Sequence, residues 1–242
     1  MNAFFNISDQ YVRRARLQPT LLVALPIALA VLAYSPEGIV HWGILWSVLV
    51  WCGATALLAQ VARDRGKRKE PELFRRWGGK PTTRLLRHHG APNKALLVRR
   101  HAKLKALIPG QKLPTAEAEA AEPSIADDAY DSCTALLIER TRDRKQFPLI
   151  FDENCNYGFR RNLWGMKPVG ILTSAAGSGA ILLGLITNSV PIRTLATVCG
   201  SVSLLLLIAW LVWFTPDWVK ITADSYAERL LAACDSLEPQ RT

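Results

Sequence analysis

Residues 168–192 read PVGILTSAAGSGAILLGLITNSVPI and carry no charged side chain; after Arg193, residues 194–216, TLATVCGSVSLLLLIAWLVWFTP, carry none either. A bilayer's hydrocarbon core is about 30 Å thick and takes roughly 20 residues of α-helix to cross. Pro168–Val190 and Thr194–Phe214 each have that length, and Asn188–Arg193 is too short to do more than reverse the chain. The stretch therefore predicts a transmembrane helical hairpin. The pattern recurs upstream: no charge lies between Leu17 and Pro36, nor, His41 aside, between Gly38 and Ala62. Pro19–Tyr34 and Ile39–Val61 read as a second pair of spans reversed at Ser35-Pro36-Glu37-Gly38. Arg13, Arg14 and Arg16 ahead of the first run suggest a signal peptide, but no small-residue cleavage site follows and another span begins four residues later, so the expectation is a retained span.

The chain has 242 residues, half of them apolar, with a formal net charge of +10. The two properties are segregated: residues 62–167 hold 23 Lys and Arg against 13 Asp and Glu, and 23 − 13 equals the charge of the whole chain. By the positive-inside rule the middle segment and both termini face the cytoplasm. The expected organisation is a cytoplasmic arm at 1–18 with Ser8 as a helix cap, a hairpin at 19–61, a basic cytoplasmic domain at 62–167, a hairpin at 168–214 and a cytoplasmic helix at 215–242. The fold class is an all-α membrane protein whose two hairpins, four spans in all, flank a mostly helical domain; Phe147–Phe151 admits one short strand.

Within that domain, Arg63–Lys69 is a juxtamembrane basic run suited to phospholipid contact. Trp77–Thr83 is turn chemistry, with Thr82 or Thr83 placed to cap a helix through His89, and Pro92 opens another helix. Pro114–Ala121 alternates Ala and Glu and reads as a linker or solvated helix; Ser124 then caps an amphipathic helix whose Asp127, Asp128 and Asp131 suit a solvated N-terminus. Five widely spread cysteines form no C-x-x-C pair, so neither a zinc site nor a disulfide framework is indicated. No phosphate-binding loop, nucleophile elbow or zinc-protease motif occurs, so no catalytic residue, cofactor or metal is assigned and the chain is not read as an enzyme.

What remains is ordered positive charge. Arg84, Arg87, His88, Lys94, Arg99, Arg100, His101, Lys103, Arg160 and Arg161 form a candidate anion-binding set, because Lys and Arg neutralise phosphates and arginine forks onto them. The same face would also serve anionic lipid. Phe151, Tyr157, Phe159 and Trp164 offer stacking surfaces or membrane-interface anchors. In the spans, Thr173, Ser174, Ser178, Thr187, Thr194, Thr197 and Ser201 are candidate pore-lining residues, though small residues at four-residue spacing also let helices pack closely. No span has an acidic or basic residue in its middle, which disfavours a proton-coupled transporter.

Two blocks, Gly79-Lys80-Pro81-Thr82-Thr83 with Leu86-Arg87, Asn93 and Arg99-Arg100-His101, and Glu153-Asn154 with Asn156-Tyr157-Gly158-Phe159-Arg160-Arg161-Asn162-Leu163-Trp164-Gly165, resemble the four-helix membrane effectors of the Hailong anti-phage defence system. The resemblance implies a homotetrameric ion channel in the bacterial inner membrane. It also implies a cytoplasmic part that binds an anionic nucleotide or single-stranded DNA oligomer made by a partner nucleotidyltransferase. Loss of that inhibitor on infection would open the pore and depolarise the cell. The rival expectation is a non-conducting anchor that recruits nucleic acid or an anionic partner.

Overall fold

The structure, a computed structural model, describes residues 10–35 and 43–238, with side chains in the second helix from residue 56 onward. Ser8, the tip residues Pro36–Gly38, Cys52 and the opening of the second span lie outside that description. Every described element is a helix: a π-helical turn Val12–Leu17 leading into α1 (Gln18–Tyr34), α2 (Gly43–Arg76), α3 (Pro81–Arg84), α4 (Lys94–Leu107), α5 (Ala116–Ala121), α6 (Pro123–Arg140), α7 (Pro148–Gly165), α8 (Lys167–Ile186), α9 (Arg193–Val212) and α10 (Pro216–Ala232), which ends in a 3-10 turn at Ala233–Asp235. Among the described residues, three stretches are long and apolar enough to cross a membrane: Val12–Tyr34, Lys167–Ile186 and Arg193–Val212.

The expected strand is corrected. Phe151 N–H donates to the Phe147 carbonyl at 3.1 Å, a helical bond, and Pro148 takes the first position of α7, where its missing N–H costs nothing. Phe147 and Ile150 are the buried pair, three residues apart, which is helix rather than strand spacing. The helix expected through His89 stops at Arg84, with Thr82 and Thr83 buried inside it instead of capping it.

The chain divides into two compact units, Met1–Glu70 with Gly158–Val219, and Pro71–Tyr157 with Lys220–Thr242, the division falling inside α2, α7 and α10. In the first unit α8 packs against both α1 and α9, and does so through glycines seven residues apart. A Cβ at Gly170 would enter the Trp210 ring, one at Gly177 would lie 2.6 Å from the Pro26 carbonyl oxygen, and one at Gly184 would lie 2.6 Å from the Tyr34 hydroxyl. Seven residues are two helical turns, so the three glycines form one row on which neighbours approach the backbone itself. Tyr34 Oη donates to the Ala180 carbonyl at 2.7 Å along the same face. Trp210 is fully buried in the Gly170 notch, whereas Trp213 is exposed.

Near the ends of these helices the backbone is satisfied by charge. Lys167 Nζ donates to the carbonyls of Phe214 (3.0 Å) and Leu211 (3.3 Å), and Arg193 holds the Leu185 carbonyl (3.2 Å) and the Asn188 side chain. These are the orphan carbonyls every helix C-terminus leaves. Where α2 meets α7, a Cβ on Gly165 would lie 2.6 Å from the Gly66 nitrogen. There Arg161 Nη1 donates to Glu70 Oε1 at 2.6 Å, Asn162 Nδ2 donates to the Ala15 carbonyl at 2.8 Å, and Lys69 Nζ sits 4.4 Å from the Trp164 ring.

The second unit is organised differently. Leu86, Leu104, Leu107, Tyr130, Leu137, Leu230 and Leu231 form its buried core, each fully buried leucine contributing about 2 kcal/mol of transfer free energy. Asn93 Oδ1 accepts from the Leu96 amide at 3.0 Å and so starts α4, and Thr115 Oγ1 accepts from the Ala118 amide at 3.2 Å to start α5.

Candidate ligand-binding cleft

The turn after α2 needs glycine: Gly78 and Gly79 have φ of +78° and +130°, and the Gly79 amide closes the helix onto the Phe74 carbonyl at 2.7 Å. The turn presents Lys80, Thr83 and Arg87 to α6. Arg87 forks onto Asp127, Nε to Oδ1 at 2.8 Å and Nη2 to Oδ2 at 2.6 Å, while its Nη1 donates to the Gly78 carbonyl at 2.7 Å. Thr83 Oγ1 donates to Asp131 Oδ1 at 2.6 Å, and Lys80 pairs with the other oxygen of Asp131. The bidentate pair raises the Arg87 pKa, its hydrogen bond with Asp127 outweighing burial. Asp127 and Asp131 are thus internal partners of the basic turn, and Asp128 alone of the trio is exposed.

Glu119 lies in the Ala-Glu stretch read as linker or solvated helix, yet it is buried and accepts from the amides of His88 (2.8 Å) and His89 (2.9 Å) and from the Tyr130 hydroxyl (2.7 Å). Burial opposes its ionisation, but three donors more than offset that and hold its pKa below the usual value; the same bond and burial drive the Tyr130 pKa up. His101 is buried as well, its Nε2 2.8 Å from the Leu86 carbonyl and its ring edge-on to His88 at 4.8 Å, and burial lowers its pKa. His88 reaches the Pro114 carbonyl at 3.1 Å. Arg84 pairs with Asp224 at 3.4 Å.

Two of the candidate anion-binding residues meet in one cavity. A cleft of about 580 Å³ is lined by α4, by the C-terminal half of α10 and by Glu153. Arg99 and Arg100 line it, joined by Arg229, a residue the sequence reading did not select. The cue was available: Arg229 sits one turn before Ala232 in the last turn of α10, where a cation suits the helix dipole. Arg99 pairs with Asp235 at 3.0 Å. Arg100 is half-buried, its Nε is shielded from solvent without a hydrogen-bond partner, and burial lowers its pKa. Lys94 and Lys103 are exposed on α4. Arg160 belongs to the first unit, where it lies 4.5 Å from the Trp218 ring and donates to the Trp218 carbonyl at 2.7 Å; Arg161 is the buried partner of Glu70.

The candidate pore residues also divide. Ser178, Thr197 and Ser201 share a groove of about 300 Å³ on α8 and α9 with Gly179 and Gly200. Ser174 is buried on the glycine row, its Oγ without a partner. Thr173, Thr187 and Thr197 donate to carbonyls of their own helices, those of Gly170, Leu183 and Arg193, and Thr194 is exposed at the start of α9. Among the described residues no cluster of three or more His, Cys, Asp or Glu could hold a metal ion, and Cys133, Cys155, Cys199 and Cys234 are buried. No family model, curated protein or solved structure matches this chain.

Proposed function

We propose that the chain is a multi-pass protein of the bacterial inner membrane, with four spans in two hairpins and both ends in the cytoplasm. Several copies form a channel gated by an anionic ligand on the charged unit. The observation that carries this reading is the pairing of an apolar helical unit with a separate unit bearing an arginine-lined cleft of about 580 Å³. A non-catalytic role fits the absence of a recognisable catalytic motif. The likeness to the Hailong membrane effectors extends the proposal: a tetramer, an anti-phage role through depolarisation, and a nucleotidyltransferase that makes a nucleotide or DNA-oligomer ligand.

The non-conducting anchor is favoured by one observation: the hydroxyls of Thr173, Thr187 and Thr197 donate to backbone carbonyls three or four residues earlier, which reduces the polarity they offer a pore wall. Planar-bilayer recording of the purified protein separates the two. Discrete conductance steps altered by Ser178→Leu and Ser201→Leu support the channel; silence in a preparation that still binds nucleotide supports the anchor.

A further inference from the structure

The cleft has properties that a run of phosphates does not call for. Its charge is balanced, Arg99, Arg100 and Arg229 being matched by Glu153, Glu228 and Asp235. A polyanion would meet as many carboxylates as guanidiniums. Part of the wall is aliphatic, formed by Leu85, Leu96, Leu97 and Pro92. A polar backbone gains nothing from that wall, whereas the face of a heterocycle does.

The guanidiniums are not equivalent. Arg99 is already held by Asp235 at 3.0 Å, while the Arg100 Nε is buried with no acceptor. Arg99 is thus committed within the protein, and Arg100 is the guanidinium left for a ligand oxygen. Carboxylates accept hydrogen bonds and donate none when ionised, so Glu153 and Glu228 suit a ligand that brings N–H groups. One phosphoryl group, several N–H donors and an apolar flat face together describe a nucleotide, and the cleft volume falls within the range of small-molecule sites.

We propose that the α4–α10 cleft binds a single nucleoside monophosphate unit, its phosphoryl group on Arg100 and Arg229 and its base N–H groups on Glu153 and Glu228. This rests on the reading of the charged unit as a ligand-binding unit and narrows it. The cleft recognises one nucleotide, free or at the end of an oligomer, rather than a stretch of phosphate backbone.

The test is calorimetric titration of the full chain in detergent with dAMP, dTMP, deoxyadenosine and inorganic phosphate. dAMP should saturate one site per chain and bind at least about tenfold more tightly than deoxyadenosine or phosphate, as expected when a charge-assisted contact and a base contact act together. Arg100→Gln should weaken dAMP about tenfold or more while leaving the melting temperature near that of the parent; Arg229→Gln, at an exposed position, carries the same test if Arg100→Gln does not fold. Glu153→Gln combined with Glu228→Gln should erase the preference for dAMP over dTMP, which lacks an exocyclic amine. Phosphate binding as tightly as dAMP, or dAMP binding indifferent to both arginine variants, overturns the inference. Mononucleotide binding without conductance would leave the inference standing and remove the channel reading; conductance that responds to oligomers, with no dAMP binding, would do the reverse.

Discussion

In the unit built from α1, α8 and α9, helices meet where side chains are missing; in the unit built around α4, α6 and α10, they meet through leucines and ion pairs. Gly170, Gly177 and Gly184 bring Trp210, Pro26 and Tyr34 against bare backbone. In the other unit Arg84, Arg87 and Arg99 each face an aspartate, and Leu104, Leu107, Leu230 and Leu231 fill the centre. The difference is the one that hydrocarbon and water would impose. Hydrocarbon gives no hydrophobic reward for bringing leucines together, so close backbone approach must hold apolar helices. Water gives that reward, and a water-facing unit can use charge at its margins. Much of the chain's conspicuous positive charge is thereby part of the architecture rather than available to a ligand.

The sharpest contrast is between two arginines. Arg161 and Glu70 in the first unit have side chains 7% and 22% exposed, whereas Arg99 and Asp235 in the second are 60% and 43% exposed. Breaking a buried pair strands a charge and should cost about 4 kcal/mol, while an exposed pair contributes about 0.5 kcal/mol. Arg161→Gln should therefore lower the unfolding temperature of the first unit strongly, and Arg99→Gln should leave both units nearly unchanged. Tryptophan fluorescence reads the first unit selectively, since among the tryptophans whose side chains are described Trp164, Trp210, Trp213 and Trp218 belong to it and Trp77 to the other. Equal melting of the two variants would mean that burial does not separate the pairs.

The glycine row makes a comparable prediction inside one helix. Gly177→Leu drives a side chain into the Pro26 backbone, which has no flexible end to yield, and should cost about 3 kcal/mol. Gly179→Leu, two residues on, meets nothing within 4 Å and should be tolerated in the monomer. Thermal unfolding of both in the same detergent checks this, and a tolerated Gly177→Leu would remove the row as the reason α8 and α1 approach.

The helical class and three apolar helices of span length were legible because they rest on bulk properties, long uncharged runs above all. The pairing of charges was not. Nothing in local sequence joins Arg87 to Asp127, forty residues on, or Arg161 to Glu70, so the basic residues read as free when several are held. Phe147–Phe151 was misread because five residues are too short for periodicity to tell strand from helix. The glycine row was readable from its seven-residue period, but four-residue spacing relates Gly170 to Ser174 and Ser178 equally well. Charge singles out Arg99 and Arg100 in the sequence, but that they share a cleft with Arg229 depends on the fold of α10.

Glu119 tests whether a residue in a repetitive stretch can hold a core together. Glu119→Gln keeps one acceptor oxygen but offers an amide where the His88 and His89 amides and the Tyr130 hydroxyl all donate, so at least one buried donor loses its partner, at about 2 kcal/mol. Hydrogen exchange should rise in residues 86–89 and 126–134 and stay unchanged in α8 and α9. An equal rise in α8 and α9 would mean that the two units do not lose structure separately.

The smallest effect expected is a pH dependence confined to the second unit. His101 faces His88 and Tyr130, with Glu119 and Lys105 near enough to act on it, and burial holds its pKa below 6.5. The folded chain therefore binds fewer protons at this site than the unfolded chain. Its contribution is full above pH 6.5 and is lost as pH falls from 6.5 toward the folded value, with a slope of at most about 1.4 kcal/mol per pH unit for one proton. Glu119, whose pKa is held below 4.5, adds a further loss only beneath that pH, so the two windows are distinct. His101→Gln keeps a donor for the Leu86 carbonyl and removes the titration. Hydrogen exchange of residues 94–107 should accelerate between pH 6.5 and pH 5, after correction for intrinsic rates, in the parent and stay flat in the variant. Acceleration in both would remove His101 as the source of the dependence and leave it as a packing residue alone.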